Sequence, residues 1–290
     1  MPLDDAMSLV GGLLTPAQAL AAVTARLRLD DMGVPGDPAL RAQLDRVVDA
    51  LDAGKALDDL SDRDRSVVLA FARSYLRQAL DLMEEPDRSG AWTHSDPAIL
   101  QAQGFASGVV ASLFLETGIG RRGIRILDVG TGVAGLAIAF CNTFPDSTVV
   151  GLDPWEPALA LARSSVAAAG LESRITLHAT PIQSFEDAEG FDLVWLPSFF
   201  IPESIIDDAL RATARVTRPD ATAVVGTMEP PDDPLAAAVD SMMTARSGGT
   251  NLSPAEAIAC LERARFIDCR EVDRFWNAPI RLVSARRDGG

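Results

Sequence analysis

The feature that most constrains the fold lies at Gly123, where helical periodicity gives way to a different rhythm. Ile124 to Val129 is a short apolar run bounded by glycines, with the length and composition of a buried strand. Beyond it the pattern predicts strands near 147–153, 174–179, 190–196 and 220–228, separated by helices near 133–143, 156–169, 202–216, 233–246 and 253–264. Strands that alternate with helices at this spacing require right-handed crossovers and a parallel sheet covered on both faces. Phe266 to Phe275 and Arg281 to Ala285 read as two strands joined without a helix, which adds an antiparallel pair at one edge. The expected fold class is therefore α/β, a doubly wound, mostly parallel seven-stranded sheet with an antiparallel last strand.

The preceding residues read as helices separated by breakers, so the chain divides into an all-helical region, 1–120, and a sheet domain, 121–290. Thr15-Pro16 supplies an N-cap and first helical position, and Leu40, Leu44, Val47 and Leu51 recur at helical spacing in a second segment. A third begins near Asp62, with an apolar stripe of Val68, Phe71, Ala72, Tyr75, Ala79, Leu82 and Met83 that stops before Pro86. Asp96-Pro97 opens a fourth, which runs through Leu100 and Phe105 towards Leu115. The segment from Glu85 to Ser95, containing Trp92 and His94, is irregular.

Composition narrows the partners. The chain has 290 residues, 48% of them hydrophobic, and a net charge of −15 distributed over both halves. That is ample material for a core. A phosphate backbone or an anionic membrane is repelled by such a surface, so neither nucleic acid nor a membrane is an expected partner. Asp4 and Asp5 stand where a leader would be basic, and no apolar run approaches the ~18 residues of a membrane span. Cys141, Cys260 and Cys269 are odd in number and form no C-x-x-C pair, which supports neither a disulfide framework nor a metal site and makes the cytoplasm the expected location.

The sharpest local signal is Asp128-Val129-Gly130-Thr131-Gly132-Val133-Ala134-Gly135, between the first strand and its helix. Its glycines match G-x-G-x-x-G, which lets a ligand approach the backbone at a helix N-terminus and at the carboxyl end of the sheet. Asp153 closes the second strand, at the distance from the glycines where a carboxylate can accept both hydroxyls of an adenosine ribose; NAD and S-adenosylmethionine satisfy that equally. Asp128 separates them. It precedes the first glycine by two residues, where it would repel a pyrophosphate and attract an ammonium or a sulfonium. Alone, Asp128 could be a loop hydrogen-bonder and Asp153 a turn residue before Pro154; together with the glycines they favour S-adenosylmethionine.

On these residues the chain resembles the class I S-adenosylmethionine-dependent methyltransferases, small-molecule type. The resemblance rests on Ile126 to Gly132, Gly151-Leu152-Asp153, Phe191 to Pro197 and the helix-to-strand turn Leu261 to Phe266, and it covers about residues 120–286. It implies a Rossmann-like domain in which Gly130 and Gly132 back the methionine part of the cofactor, Asp128 reaches its ammonium and Asp153 holds the ribose. Pro154 and Trp155 stand where the family packs an apolar side chain on adenine, and Pro197 borders the cofactor at the end of the fourth strand. After the third strand this chain has Ala179-Thr180-Pro181-Ile182-Gln183, without the acidic residue that many relatives place there. Thr180 or Gln183 could accept from the adenine amino group instead, and Ile182 could cover the ring. The helical region would act as lid, dimer contact or both, with a homodimer as the expected assembly.

Methyl transfer to an activated sulfonium needs alignment and exclusion of water, with a general base only for a weakly acidic acceptor. Pro197-Ser198-Phe199-Phe200 lacks the Asn/Asp-Pro-Pro-aromatic signature of methylases acting on planar amino groups, and its aromatic pair suits a small, partly apolar acceptor. His94 is the first candidate for a base or positioning group, and Glu229, beyond the fifth strand, is the second; His178 reads as a sheet residue. O-methylation is the favoured reaction, with N- and C-methylation open. The alternatives are an NAD(P)-dependent oxidoreductase, against which Asp128 and the terminal strands speak, and a methyltransferase-like chain without turnover.

Overall fold

The computed structural model describes residues 2–276 and 278–289, and of Arg63 the backbone alone. Contacts divide the chain into two compact units, Met1–Pro86 with Gln101–Ala106, and Asp87–Leu100 with Ser107–Gly290. The boundary expected at residue 120 thus falls near Pro86, because the irregular segment and the residues after Ser107 pack with the sheet.

The first unit is built on α1 (Pro2–Asp31), α2 (Pro38–Ala50), the short α3 (Gly54–Asp58) and α4 (Asp62–Glu84). Leu27, Leu44, Val48 and Leu69 are buried, and the Arg26 guanidinium is shared by Asp30, Asp45 and Asp58. Asp37 caps α2, accepting from Leu40 N–H at 2.8 Å, and Ser61 caps α4. The structure corrects three readings here. α1 does not start at Thr15-Pro16 but runs through Pro16; the carbonyl deprived of its partner is that of Gly12, which is exposed and open to water. The apolar stripe of α4 is not its buried face: Leu69 and Ala72 are buried, whereas Phe71, Tyr75 and Met83 are exposed. Finally, no charged side chain lies between Asp5 and Arg26, so α1 has the length and mean hydropathy of a membrane span, 1.5 over 18 residues, as does Pro97–Glu116. A buried core helix passes the same test; of the two windows, that of Pro97–Glu116 is 44% buried and that of α1 is 0% buried.

Two helices lead into the sheet. They are α5 (Pro97–Ser107), opened by the Asp96 carboxylate on Ala98 N–H, and α6 (Val109–Glu116). The helix expected from Pro97 to Leu115 runs as α5 and α6, which join at Gly108, a turn residue that keeps right-handed helical angles of φ −58° and ψ −23°. Then follow β1 (Arg125–Val129), α7 (Gly135–Thr143), β2 (Thr148–Leu152), α8 (Glu156–Ala168), β3 (Ile175–His178), β4 (Phe191–Pro197), α9 (Ile206–Val216), β5 (Thr217–Met228), α10 (Pro234–Arg246), α11 (Pro254–Arg263), β6 (Phe266–Glu271) and β7 (Ile280–Arg287).

The seven strands lie in the order β3-β2-β1-β4-β5-β7-β6, with β7 antiparallel to both of its neighbours. The expected architecture is what the chain adopts, with the antiparallel strand inserted inside the edge. Strand alternation sends Leu127, Val129, Val194, Leu196 and Val225 to one face, with α9 and α11. Ile126, Leu193, Trp195 and Val224 go to the other, with α6, α7 and α8. Order reverses between β1 and β4, so the carboxyl ends of β1, β2 and β4 flank the crevice where an open sheet of this kind takes a ligand.

Candidate active site

The glycine loop folds back over the end of β2: Gly130 N–H and Thr131 N–H both donate to the Leu152 carbonyl, at 2.8 and 2.9 Å. Gly130 and Gly132 have φ of +73° and +57°, a region that a side chain disfavours. Around a Cβ built on Gly132 no protein atom lies within 4 Å, so that side of the loop is open to a ligand.

Asp153 holds this arrangement together. One carboxylate oxygen accepts from Gly132 N–H at 2.9 Å and the other from Trp155 N–H at 2.8 Å, so a single side chain ties the loop after β1 to the turn after β2. Each oxygen keeps a lone pair for a further donor. Burial pushes the Asp153 carboxyl above its ordinary range, against the two amides that favour its charge.

Asp128 is still more buried, at 1% exposure, and accepts from the Thr131 hydroxyl at 2.7 Å. The backbone of Gly151 makes room for that hydroxyl, since a Cβ there would stand 2.7 Å from it. Desolvation raises the Asp128 carboxyl to about 7; the Thr131 bond lowers it and the Asp153 charge raises it further. A buried carboxylate in this condition favours a cation, which restores its charge. The two carboxylates, the open glycine side and Pro197, whose Cγ lies 3.8 Å from the place of a Gly130 Cβ, fit a ligand carrying vicinal hydroxyls at one end and an ammonium at the other.

The remaining cofactor candidates divide. Pro154 is exposed and Thr180 half-buried beside the crevice. Ile182 does not present a free face for an adenine: at 2% exposure it belongs to the same core cluster as Val129 and Leu152, in a 3-10 turn that faces the helix layer. The Gln183 carbonyl accepts from Arg215.

Beyond β4, Ser198 is an internal strut, its hydroxyl donating to the Gly226 carbonyl at 2.9 Å. Phe199 and Phe200 follow at 5.0 Å between ring centroids, and Trp92 stands 4.9 Å from Phe200. His94 is buried with its ring edge-on to Trp92 at 4.8 Å, and its carbonyl accepts from the Trp155 indole N–H at 2.9 Å. His94 thus lies among the aromatic side chains at the carboxyl end of the sheet. Glu229 does not suit the role of a base: its carboxylate is paired with both Arg274 and Arg281, and Arg281 is also paired with Glu271. His178 is exposed at the end of β3. Two contributors escaped the sequence reading, Thr131 and Val133. Their signal was a polar and an apolar residue inside the glycine loop, the first hydrogen-bonded to Asp128 and the second packed with Leu100 and Ala158.

Residues 126–220 match the model of a family described as a methyltransferase domain. Two curated relatives each match about a third of the chain. The tRNA1(Val) (adenine(37)-N6)-methyltransferase of Vibrio campbellii is 31% identical over 94 residues, 32% of this chain and 39% of that protein. The demethylmenaquinone methyltransferase of Thermus thermophilus is 36% identical over 107 residues, 37% of this chain and 48% of that protein. The chain thus spans less than half the length of the curated relatives it matches. Solved structures agree in fold over nearly the whole chain. Human N-acetylserotonin methyltransferase, solved with S-adenosylmethionine, has a TM-score of 0.68 at 14% identity, covering 98% of each chain. The pyocyanin biosynthetic protein PhzM has 0.67 at 17% identity, covering 99% of this chain and 98% of its own. The mitomycin 7-O-methyltransferase MmcR has 0.65 at 19% identity, covering 99% of each.

Proposed function

We propose that this chain, which carries a methyltransferase domain on the class I fold, transfers a methyl group from S-adenosylmethionine to a small, partly apolar metabolite, with a hydroxyl oxygen as the favoured acceptor. The observation that carries this reading is the pair Asp128 and Asp153 around one glycine loop. An oxidoreductase would place a pyrophosphate against Asp128, whose burial leaves no compensating cation among the hydrogen bonds made to it.

The bound cofactor supplies a methyl group already activated on a sulfonium. The chain's own residues align and shield. Asp153 accepts from the ribose hydroxyls while keeping its two amide donors, and Asp128 balances the ammonium. Trp92, Phe199 and Phe200 exclude water from the acceptor side. His94 would orient an acceptor hydroxyl and accept its proton. An acceptor of this kind suits the aromatic surroundings of His94 and the net charge of −15, which disfavours RNA. The O-methyl preference also draws on neighbours such as the mitomycin 7-O-methyltransferase. The cytoplasm, where the free thiols Cys141, Cys260 and Cys269 stay reduced, is the proposed location.

Calorimetric titration with S-adenosylhomocysteine, beside NADH, tests the cofactor. Micromolar binding of S-adenosylhomocysteine alone is expected; binding of NADH alone would move the chain to the oxidoreductases, and binding of neither would make it a non-catalytic relative. For a hydroxyl acceptor, His94→Gln is expected to lower kcat at saturating cofactor by about 100-fold. An unchanged kcat would mean that no base is used.

A further inference from the structure

Segment Asp87–Leu100 crosses the carboxyl end of the sheet and is fastened at both ends. At the first end, Ala91 N–H donates to the Arg246 carbonyl at 3.1 Å, and the backbones touch. A Cβ on Gly90 would come 2.3 Å from the Ala245 carbonyl oxygen, and one on Gly248 would come 2.7 Å from that of Gly90. At the other end the Trp155 indole N–H holds the His94 carbonyl, and Leu100 is buried with Val133 and Ala158, against which Trp92 and Trp155 also pack. Between the two anchors the segment carries Trp92 to within 4.9 Å of Phe200.

At this second end the strap's seats trace back to one side chain. Trp155 gives its backbone N–H to one oxygen of Asp153, and Val133 follows Gly132, which gives its N–H to the other. The residues that receive this end of the strap are therefore held by the carboxylate assigned to the ribose. On that assignment, and so on the methyltransferase reading, we propose that Trp155 is a positioning residue: its bond to His94 makes the Trp92–Phe200 acceptor wall rigid only when the cofactor steadies Asp153. The acceptor face would then be completed by cofactor binding, and a planar apolar acceptor would be held by the loaded protein in preference to the free one.

Trp155→Phe tests this, because it keeps an aromatic ring and deletes the donor. Amide hydrogen exchange over residues 87–96 is to be followed by mass spectrometry with and without S-adenosylhomocysteine, with calorimetry of the same samples. In the wild type, S-adenosylhomocysteine is expected to slow exchange of the strap at least tenfold. In Trp155→Phe the slowing should be lost even at S-adenosylhomocysteine concentrations that saturate the variant, as the same calorimetry reads. With 2-naphthol as a planar probe, binding should be at least tenfold tighter to loaded than to free wild type, and equal for the two states of the variant. If Trp155→Phe does not fold, Gly90→Ala, which loosens the other anchor, is expected to lose the same slowing. Normal S-adenosylhomocysteine binding with strap exchange indifferent to it, or a variant that keeps the slowing, overturns the inference and leaves the methyltransferase reading intact. Absence of S-adenosylhomocysteine binding to the wild type overturns that reading instead, and the inference with it.

Discussion

Asp128 ties cofactor affinity to pH in a way that can be calculated. Its carboxyl is raised to about 7 by burial, so at pH 6 roughly one molecule in ten carries the charge, against about nine in ten at pH 8. If the carboxylate is what receives the ammonium, the affinity for S-adenosylhomocysteine should fall about tenfold between pH 8 and pH 6, about 1.4 kcal/mol. Asp128→Asn should bind weakly and with no such dependence, which separates this titration from that of the ligand. Stability moves in the opposite sense. A carboxyl whose folded pKa lies above its unfolded value of 3.8 costs nothing below pH 4; the cost grows as pH rises and is complete above pH 7, reaching at most about 4 kcal/mol. Unliganded Asp128→Asn should therefore melt at a higher temperature than wild type at pH 8, by roughly 5–10 °C, and by less than about half as much at pH 5. Calorimetric titrations at three pH values and melting curves at two suffice. A wild-type affinity that is flat from pH 6 to 8, or a variant no more stable at pH 8, would refute the assignment of the ammonium to Asp128.

Three further outcomes are expected. Asp153→Ala should weaken S-adenosylhomocysteine binding by about 1.5–3 kcal/mol, the worth of charged hydrogen bonds, as read by calorimetry. Gly132→Ala, at φ +57°, should cost about 1–2 kcal/mol in a denaturation curve and also weaken the cofactor, since the new methyl enters the open side of the loop. Glu229→Gln should lower stability by about 1 kcal/mol through its two arginines and leave kcat within about threefold; an unchanged melting temperature with a hundredfold loss of kcat would restore its candidacy as a base.

What could be read from the sequence was whatever lies close along the chain. β1, the loop and Asp153 fall within 30 residues, and their spacing alone states a strand, a turn and a carboxylate at the next strand end. The central strands were legible for the same reason: β1, β2 and β4 are short, largely apolar runs with polar or glycine boundaries. Features that depend on distant partners were not legible. The arginines that neutralise Glu229 lie at 274 and 281, 45 and 52 residues further along the chain. The Trp155 bond to His94 joins residues 61 apart. Ile182 follows a strand end in the sequence, yet it belongs to the buried cluster of Val129 and Leu152, which spacing cannot foretell. Pro16 misled because proline suits the first turn, where an N–H has no helical partner, yet an exposed helix can also hold one inside, with water on the freed Gly12 carbonyl.

The place of β7 bears on how the chain is made. This strand comes last in sequence yet lies inside the sheet, paired with β5 over Thr222 to Met228 on one side and with β6 on the other. Until residues 280–287 emerge from the ribosome, β5 has an open edge and β6 has no neighbour. Val283 and Ala285 are also missing from one face of the core, and Leu282 from the other. Between residues 228 and 287 the nascent chain therefore carries an unpaired β5 edge and exposed apolar surface, and the sheet is complete only once β7 can pair.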